Sequence, residues 1–299
     1  MSALASRLIT LSSPVARALV YPERGFQLFG FQVKHEDRWI ETIYAPDDAV
    51  EPTDRRYGNP ILFPAVGVSN GKAADSWDYQ GRSLPMPSHG WARNVYWQIE
   101  EISDAAVTAL LVPHPGFKLG FPFDFNMRMT YRLEDSTLVI ETSVHNTGSL
   151  PFPYALGFHP YLKLPLTASS TLAECVVDLP AANRVRSTDG WRSYEATAAP
   201  SRTVVVIDPE LPGSMLLRDG GISSLQVRDE AAALATRVSV QGSPEAFAVW
   251  VVWNAAPDAP YVCLEPWTDL PNALNRTGTL MLPPGKIHNY RVAISLHAL

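Results

Sequence analysis

Apolar and polar residues alternate along several stretches of this chain, and long runs with helical spacing are scarce. The alternation is clearest in TLVIETSVHN (137–146), where Leu138, Ile140, Thr142 and Val144 share one face of an extended chain. The residues between them are mostly polar. This period of two predicts a half-buried antiparallel strand.

Similar stretches recur along the chain and are separated by turn-forming residues such as Asn146-Thr147-Gly148. They are rich in β-branched and aromatic residues and cover 125–134, 202–208, 237–242, 246–254 and 289–299. Strands without intervening helices predict an all-β fold, a large antiparallel β-sandwich. The polar stretch 181–203 is interpreted as a long loop or irregular hairpin. No linker or internal repeat divides the chain, so we expect one domain over residues 1–299.

Composition narrows the classes of function. The chain has 299 residues, of which 46% are hydrophobic, so it can bury a large core, and its net charge is -6 with no run of Lys or Arg. Binding to nucleic acid or to an anionic membrane is therefore not expected. No apolar stretch approaches the ~18 residues of a membrane span, and the apolar runs at the N-terminus are too short for a secretory signal. Cys175 and Cys263 lie far apart, which argues against a disulfide framework and fits a cytoplasmic protein.

Four stretches hold the candidate chemistry. Glu265 follows Val262-Cys263-Leu264, so its carboxylate is expected to be buried and therefore paired, protonated or functional. A lone histidine in an apolar segment is most often structural, and the residues alone leave this open for His89 and His159. The stretches are GNPILFPAVGVSNGK (58–72), LPMPSHGWARNVYW (84–97, with His89), YALGFHPYLKLP (154–165, with His159) and YVCLEPWTDLPNALN (261–275, with Glu265).

In this order, the four stretches resemble the aldose 1-epimerase (galactose mutarotase-like) family. The matching pieces are NPILFP, MPSHGWAR, GFHPYLKLP and CLEPWTDLPNALN, and the closing GKIHNYRVAISL resembles the last strand of the family. The resemblance runs from about residue 58 to the C-terminus and is weak over 165–245. It implies a galactose mutarotase-like supersandwich with its sugar site on a concave sheet.

The resemblance also implies an activity. A mutarotase opens the ring of a cyclic aldose and closes it from the other face, with one base, one acid and no cofactor. By resemblance, Glu265 is the base that takes the anomeric proton and His159 is the acid that protonates the ring oxygen. His89 would stand near the ring oxygen. The implied partner is a small-molecule sugar, bound by a monomer or homodimer.

One position departs from the family pattern. Val68 stands where many members carry an arginine that contacts the sugar or a sugar phosphate. The substitution predicts a free aldose as substrate, with Lys72 or Arg93 as candidate replacements for the missing cation. The sugar-binding aspartate of the family is assigned to Asp208, and Trp267 offers an aromatic face to a sugar ring.

Other classes of function stay open at this point. Two histidines and one glutamate could form a two-histidine, one-carboxylate iron site, although none of the three shares a short local spacing with another. A non-catalytic carbohydrate-binding or regulatory module would use the same fold without chemistry. A hexose-6-phosphate epimerase would need a cation for the phosphate. A glycoside hydrolase would need a second carboxylate, and no motif supplies one.

Overall fold

Strands make up most of the regular structure in the computed structural model, which describes residues 7–46, 56–111, 113, 115–241 and 246–299. The strands are β1 (Ile9–Ser12), β2 (Ala16–Tyr21), β3 (Gln27–His35), β4 (Arg38–Glu41), β5 (Ile61–Leu62), β6 (Ser76–Tyr79), β7 (Arg82–Pro85), β8 (Gln98–Ile102), β9 (Ala106–Leu111), β10 (Phe125–Glu134), β11 (Thr137–Asn146), β12 (Phe152–Pro153), β13 (Gly157–Phe158), β14 (Tyr161–Lys163), β15 (Cys175–Leu179), β16 (Ala182–Arg186), β17 (Glu195–Ala199), β18 (Arg202–Val205), β19 (Met215–Arg218), β20 (Ser224–Asp229), β21 (Leu234–Gln241), β22 (Val249–Trp253), β23 (Tyr261–Trp267), β24 (Met281–Leu282) and β25 (Ile287–Ala298). The helices are α1 (Pro115–Gly120) and the 3-10 segments Ala92–Asn94, Leu172–Glu174, Leu211–Gly213 and Ala273–Asn275.

Two large antiparallel sheets form the body of the molecule. The first has nine strands in the order β18-β15-β20-β21-β25-β11-β10-β9-β8, and the second runs β17-β16-β19-β22-β23-β13-β5, with β14 also paired to β23. A four-stranded sheet, β1-β2-β3-β4, and two two-stranded sheets, β6-β7 and β12-β24, complete the topology. The predicted all-β, antiparallel fold is confirmed.

The core lies between the two large sheets. Alternate residues of each sheet point inward, because successive side chains of a strand face opposite sides. From the first sheet these include Ile140 and Val292, and from the second Val262 and Leu264, all in one buried apolar cluster. A single core formed by the inward side chains of two packed sheets is typical of a β-sandwich.

Several sequence predictions can be compared with the strands directly. The predicted stretches 125–134 and 137–146 coincide with β10 and β11, which pair along their whole lengths. The stretch 202–208 was predicted too long. Its strand, β18, ends at Val205, since the chain then turns and the N–H of Asp208 donates to the carbonyl of Val205.

The stretch 181–203, interpreted as a long loop or irregular hairpin, contains a hairpin of β16 and β17 whose paired residues follow one continuous register. The last residue of the predicted stretch 237–242 lies outside the described residues. Strands β1 to β4 were missed by sequence reasoning. Cys175 and Cys263 are both buried free thiols, and no helix within the described ranges is long and apolar enough to cross a membrane.

The outer face of the second sheet carries further apolar side chains. Val249 and Val251 of β22 and Trp267 of β23 belong to a second buried cluster, separate from the sandwich core. Strand β23 is therefore buried on both faces, and all seven of its residues are buried. A strand in this position offers side chains to the core and to the outer face in strict alternation.

Leu264→Ala tests the inward face of β23. Leu264 is 0% exposed, and truncating a buried leucine typically costs about 2–5 kcal/mol in the free energy of unfolding. We expect urea unfolding to show a loss in this range. The matched control is Ile102→Ala, at a side chain that is 60% exposed, where a loss below about 0.5 kcal/mol is expected. Equal losses in the two variants would contradict the placement of Leu264 in the core.

Candidate active site

The outward face of β23 presents three chemically distinct side chains in a row. Cys263, Glu265 and Trp267 alternate with the core residues Val262 and Leu264, so their side chains emerge on the side opposite the sandwich core. Glu265 is 1% exposed. The expectation of a buried carboxylate at this position therefore agrees with the structure.

The register between β23 and the segment 157–163 places His159 beside Glu265. Strand β13 pairs Gly157 with Trp267, and β14 pairs Tyr161 with Cys263. The same register, continued across the two residues between β13 and β14, sets His159 opposite Glu265. Residues directly opposite in an antiparallel pair point to the same face. The two side chains consequently meet, with His159 Nε2 3.4 Å from Glu265 Oε1.

The two side chains are held from several sides. The indole Nε1 of Trp267 donates to Glu265 Oε2 at 3.1 Å. The backbone N–H of His159 donates to the side-chain Oδ1 of Asn59 at 3.0 Å. The imidazole stacks on the ring of Tyr161, with centroids 4.7 Å apart and planes 11° apart, and meets the edge of Trp253 at 5.6 Å. The imidazole of His159 is thus fixed in orientation.

His89 lies next to this pair. Its ring centroid is 5.6 Å from that of His159 and 5.7 Å from that of Trp267. The backbone N–H of Gly67 donates to His89 Nδ1 at 3.1 Å. A neutral imidazole that accepts at Nδ1 carries its proton on Nε2, so His89 can donate one hydrogen bond from Nε2.

An unusual backbone holds His89 in place. His89 has φ of 65°, in the left-handed region that non-glycine residues seldom occupy. Gly90 follows with φ of 68°, and a Cβ there would lie 2.3 Å from the carbonyl oxygen of Phe63. Only glycine fits at that second position. The Ser88-His89-Gly90 turn is therefore packed tightly against the GNPILFP segment.

Burial shifts the pKa values of the three titratable groups. It raises the pKa of Glu265 well above its usual range, and the hydrogen bond from Trp267 only partly opposes this. It lowers the pKa of His159 to about 3, with the positive charge of Arg93 as a further cause. It also lowers the pKa of His89, where His159 and Arg93 act in the same direction. In the protein alone, neutral forms of all three side chains are favoured.

The predicted sugar-binding residues fall in different places. Arg93 lies near both imidazoles, and its Nη2 donates to the carbonyl of Ser88 at 2.8 Å. Val68 is 36% exposed at the edge of the site, where its carbonyl accepts the N–H of Asn272. The side chain of Lys72 is exposed at the surface. Of the two candidate replacements for the missing arginine, the structure brings Arg93 and not Lys72 close to the histidines.

Trp267 lies beside the pair, whereas Asp208 lies elsewhere in the fold. Trp267 is 5% exposed and its indole N–H donates to Glu265, and contact of its ring with a sugar stays a prediction. Asp208 lies in the turn after β18, an edge strand of the other sheet, and its carboxylate accepts the N–H of Glu210 at 2.8 Å. This hydrogen bond is typical of a turn-forming aspartate. A sugar-binding role for Asp208 stays a prediction.

Sequence reasoning missed three neighbours of the pair. Asn59, Trp253 and Cys263 each lie within a stretch that was singled out or predicted as a strand, but none has a distinctive pattern of its own. Ligand atoms of His159, Cys263 and Glu265 lie within 4.8 Å of one another. Among the described residues, this set, and not the predicted set with His89, is the one whose spacing suits a metal ion.

The comparison with family sequences covers almost the whole chain. The sequence profile of the aldose 1-epimerase family matches residues 7–295. This chain belongs to the aldose 1-epimerase family. The match begins about fifty residues before the first motif recognised from the sequence, since it includes β1 to β4.

Two curated relatives share between about a quarter and a third of their aligned residues with this chain. Protein LacX (chromosomal) from Lactococcus lactis subsp. lactis is 24% identical over 246 residues, which cover 76% of this chain and 80% of LacX. The uncharacterized protein YihR from Escherichia coli (strain K12) is 32% identical over 140 residues, covering 43% of this chain and 42% of YihR. Neither similarity specifies a substrate.

Solved structures agree on the fold. A galactose mutarotase-like protein from Clostridium acetobutylicum superposes with a TM-score of 0.82 at 18% identity, covering 98% of this chain and 95% of that one. A galactose mutarotase-like protein from Lactobacillus casei gives 0.80 at 22% identity, covering 97% of this chain and 100% of that one. At these identities the likeness establishes the fold alone.

Gly157→Ala tests the packing behind the pair. A Cβ at Gly157 would lie 2.6 Å from Cδ1 of Trp267 and 3.0 Å from Cγ1 of Val66. The indole must then shift, which weakens its hydrogen bond to Glu265. Overpacking of this kind costs about 1–3 kcal/mol. We expect a corresponding loss in urea unfolding and a changed tryptophan emission.

Gly213→Ala is the matched control for this substitution, because a Cβ there meets nothing within 4 Å. Its stability and emission should equal those of the unmodified protein. A Gly157→Ala variant that behaved like Gly213→Ala would show that the indole of Trp267 is not tightly packed against Gly157.

Proposed function

We propose that this protein is an aldose 1-epimerase that interconverts the α and β anomers of a free aldose by acid–base ring opening. The observation that carries the proposal is the buried contact between His159 Nε2 and Glu265 Oε1, 3.4 Å apart. Membership of the family supports it, because the family is named for this activity. A binding module would need neither an orientated imidazole nor a buried carboxylate.

The reaction needs one proton removed and one delivered. Glu265 takes the proton of the anomeric hydroxyl, O1 forms the carbonyl with C1, and the electrons of the C1–O5 bond move to the ring oxygen O5. His159 protonates O5. Rotation about C1–C2 and the reverse steps close the ring as the other anomer. Each positioned acid or base is worth ~10²–10⁴ in rate.

The pair conserves its protons through this cycle. With cyclic sugar, the reactive form has charged Glu265 and protonated His159. After ring opening, Glu265 holds the proton and His159 is neutral. Both forms contain one proton on the pair and have no net charge. The buried environment, which favours the neutral forms, therefore stabilises the pair at the open-chain stage, while sugar oxygens must stabilise the charged form by hydrogen bonding.

His89 fits a donor role beside the acid. Its Nδ1 accepts from Gly67, so its Nε2–H is available for the ring oxygen or a neighbouring hydroxyl. Its lowered pKa keeps it neutral near pH 7. A neutral donor can hold O5 in position without competing with His159 for the proton.

The proposal of a free aldose rests on Val68. An apolar side chain at the edge of the site supplies no charge for a phosphate, whereas Arg93 already donates to the Ser88 carbonyl. Two-dimensional NMR exchange spectroscopy should show anomer exchange of free aldoses above the spontaneous rate. Hexose 6-phosphates should exchange more slowly. Much faster exchange of a phosphorylated sugar would replace this proposal with a hexose-6-phosphate epimerase.

Glu265→Gln separates chemistry from structure. The amide can still accept from Trp267 and face His159 Nε2, so shape and hydrogen bonds are kept while basicity is lost. The catalysed rate should fall at least ~10²-fold, the lower end of the general-base range, with little change in KM or melting temperature. His159→Asn should lose a similar factor through the acid.

Glu41→Gln is the matched control, because Glu41 also has a raised pKa through burial but accepts backbone N–H groups from Phe31 and Ile43 in the four-stranded sheet. This variant should keep its turnover. A Glu265→Gln variant with a lowered melting temperature and near-normal turnover per folded molecule would make Glu265 a structural acid and remove it from the mechanism.

The pH profile gives a separate test. Because the pKa of His159 is lowered to about 3, the pair takes up a second proton only near that pH. Because the pKa of Glu265 is raised, the single proton is lost only well above the usual carboxyl range. The enzymatic kcat/KM should therefore stay level through pH 6.5 and fall on the alkaline side, as the pair loses its proton. An acid limb centred near 6.5, the pKa of an exposed imidazole, would contradict this proton count.

A further inference from the structure

Cys263 lies in the site, but the proposed reaction has no use for it. It is two residues before Glu265 on the same face of β23, and it is 0% exposed. Burial raises the pKa of its thiol. A raised pKa disfavours the free thiolate, so the thiol is not poised to act as a nucleophile, and it binds a metal only where the metal itself displaces the thiol proton. The position of the thiol within 4.8 Å of ligand atoms of both His159 and Glu265 therefore needs another explanation.

The imidazole nitrogen of His159 and a carboxylate oxygen of Glu265 have the separation of two zinc ligands. Zinc binds imidazole nitrogen and carboxylate oxygen at about 2.0–2.1 Å, so two such ligands at a tetrahedral angle are about 3.3 Å apart. His159 Nε2 and Glu265 Oε1 are 3.4 Å apart. A sulfur ligand at about 2.3 Å requires a separation of about 3.5 Å from each of the other two ligands. The ligand atoms of Cys263, His159 and Glu265 lie within 4.8 Å of one another, so the metal draws the sulfur inward by at most about 1 Å.

We propose that Cys263, His159 and Glu265 form an inhibitory site for Zn²⁺, with a solvent molecule as the fourth ligand. Thiolate and imidazole ligands select zinc over Mg²⁺ or Ca²⁺, which prefer oxygen. Bound zinc would occupy both the acid and the base, so it excludes catalysis. The inhibition rests on the proposed epimerase function, whereas the binding of zinc does not.

The charge balance favours this exchange in a buried place. Zinc displaces the proton of the Cys263 thiol and the single proton of the His159–Glu265 pair, and both protons go to solvent. Two positive charges enter as two leave, so the net charge of the site does not change. Arg93 opposes a positive charge at the imidazole. Because the net charge of the site is unchanged, zinc binding adds no net repulsion with Arg93.

Cobalt titration tests the binding directly. Co²⁺ replaces Zn²⁺ in such sites, and its thiolate complex absorbs through sulfur-to-metal charge transfer. We expect one Co²⁺ per chain with this absorption in the unmodified protein and its displacement by ZnCl₂. MgCl₂ should have no effect. Cys175→Ala, which removes the other buried thiol, in β15, should titrate like the unmodified protein, and Cys263→Ala should show no charge-transfer band.

The activity assay is read separately. ZnCl₂ should inhibit anomer exchange, and Cys263→Ala should need at least ~10-fold more zinc for half-inhibition relative to its own metal-free rate. If Cys263→Ala does not fold, Glu265→Gln replaces it and should bind Co²⁺ at least ~10-fold more weakly than the unmodified protein.

Absence of the thiolate–cobalt band in the unmodified protein would overturn the proposal, as would an equal band in Cys263→Ala. If the unmodified, metal-free protein has no epimerase activity but gives the expected cobalt titration, the result counts against the proposed function and supports the zinc site.

Discussion

The antiparallel register between residues 157–163 and strand β23 is the constraint on which the site depends. It pairs Gly157 with Trp267 and Tyr161 with Cys263, and it thereby sets His159 opposite Glu265. A slip of one residue would turn every side chain of the segment to the other face. Phe158 and Leu162 would then leave the sandwich core, where both are 0% exposed. The apolar core consequently fixes the geometry of the polar pair.

The pair tolerates burial because it needs only one proton and no net charge. An isolated carboxylate or imidazolium in this place would carry a large desolvation cost. Sharing a single proton lets both groups be neutral in the protein alone, as their shifted pKa values indicate. Trp267 and Asn59 add hydrogen bonds that hold the carboxylate and the His159 backbone without adding charge. The surroundings therefore impose orientation, and in the proposed reaction the sugar supplies the stabilisation of the charged form.

The sequence predicts most where local pattern and tertiary role coincide. Strands β10 and β11 have a clear period of two and a well-marked turn between them, so their bounds follow from the residues alone. Strands β1 to β4 were missed because several are short and lie in a region whose apolar runs are broken by Arg, Ser and Gly. Glu265 was found because it follows three apolar residues, so a charged side chain falls in a segment that is expected to be buried. Asn59 carries no such conflict, since its hydrogen bond to the His159 backbone exists only once the two segments meet.

Strand β23 shows why a central strand is suited to this task. Its inward residues, Val262 and Leu264, are fixed by the core between the sheets, and its outward residues Cys263 and Trp267 belong to two further buried clusters. The backbone between them cannot move without disturbing both layers, because close-packed interiors resist small displacements. A carboxylate on this strand is therefore held in a fixed position, which the proposed proton transfer requires. The same rigidity leaves Cys263 beside Glu265 as a fixed neighbour. The identity of residue 263 therefore decides whether the proposed zinc site has a sulfur ligand, even though Cys263 takes no part in the proposed ring opening.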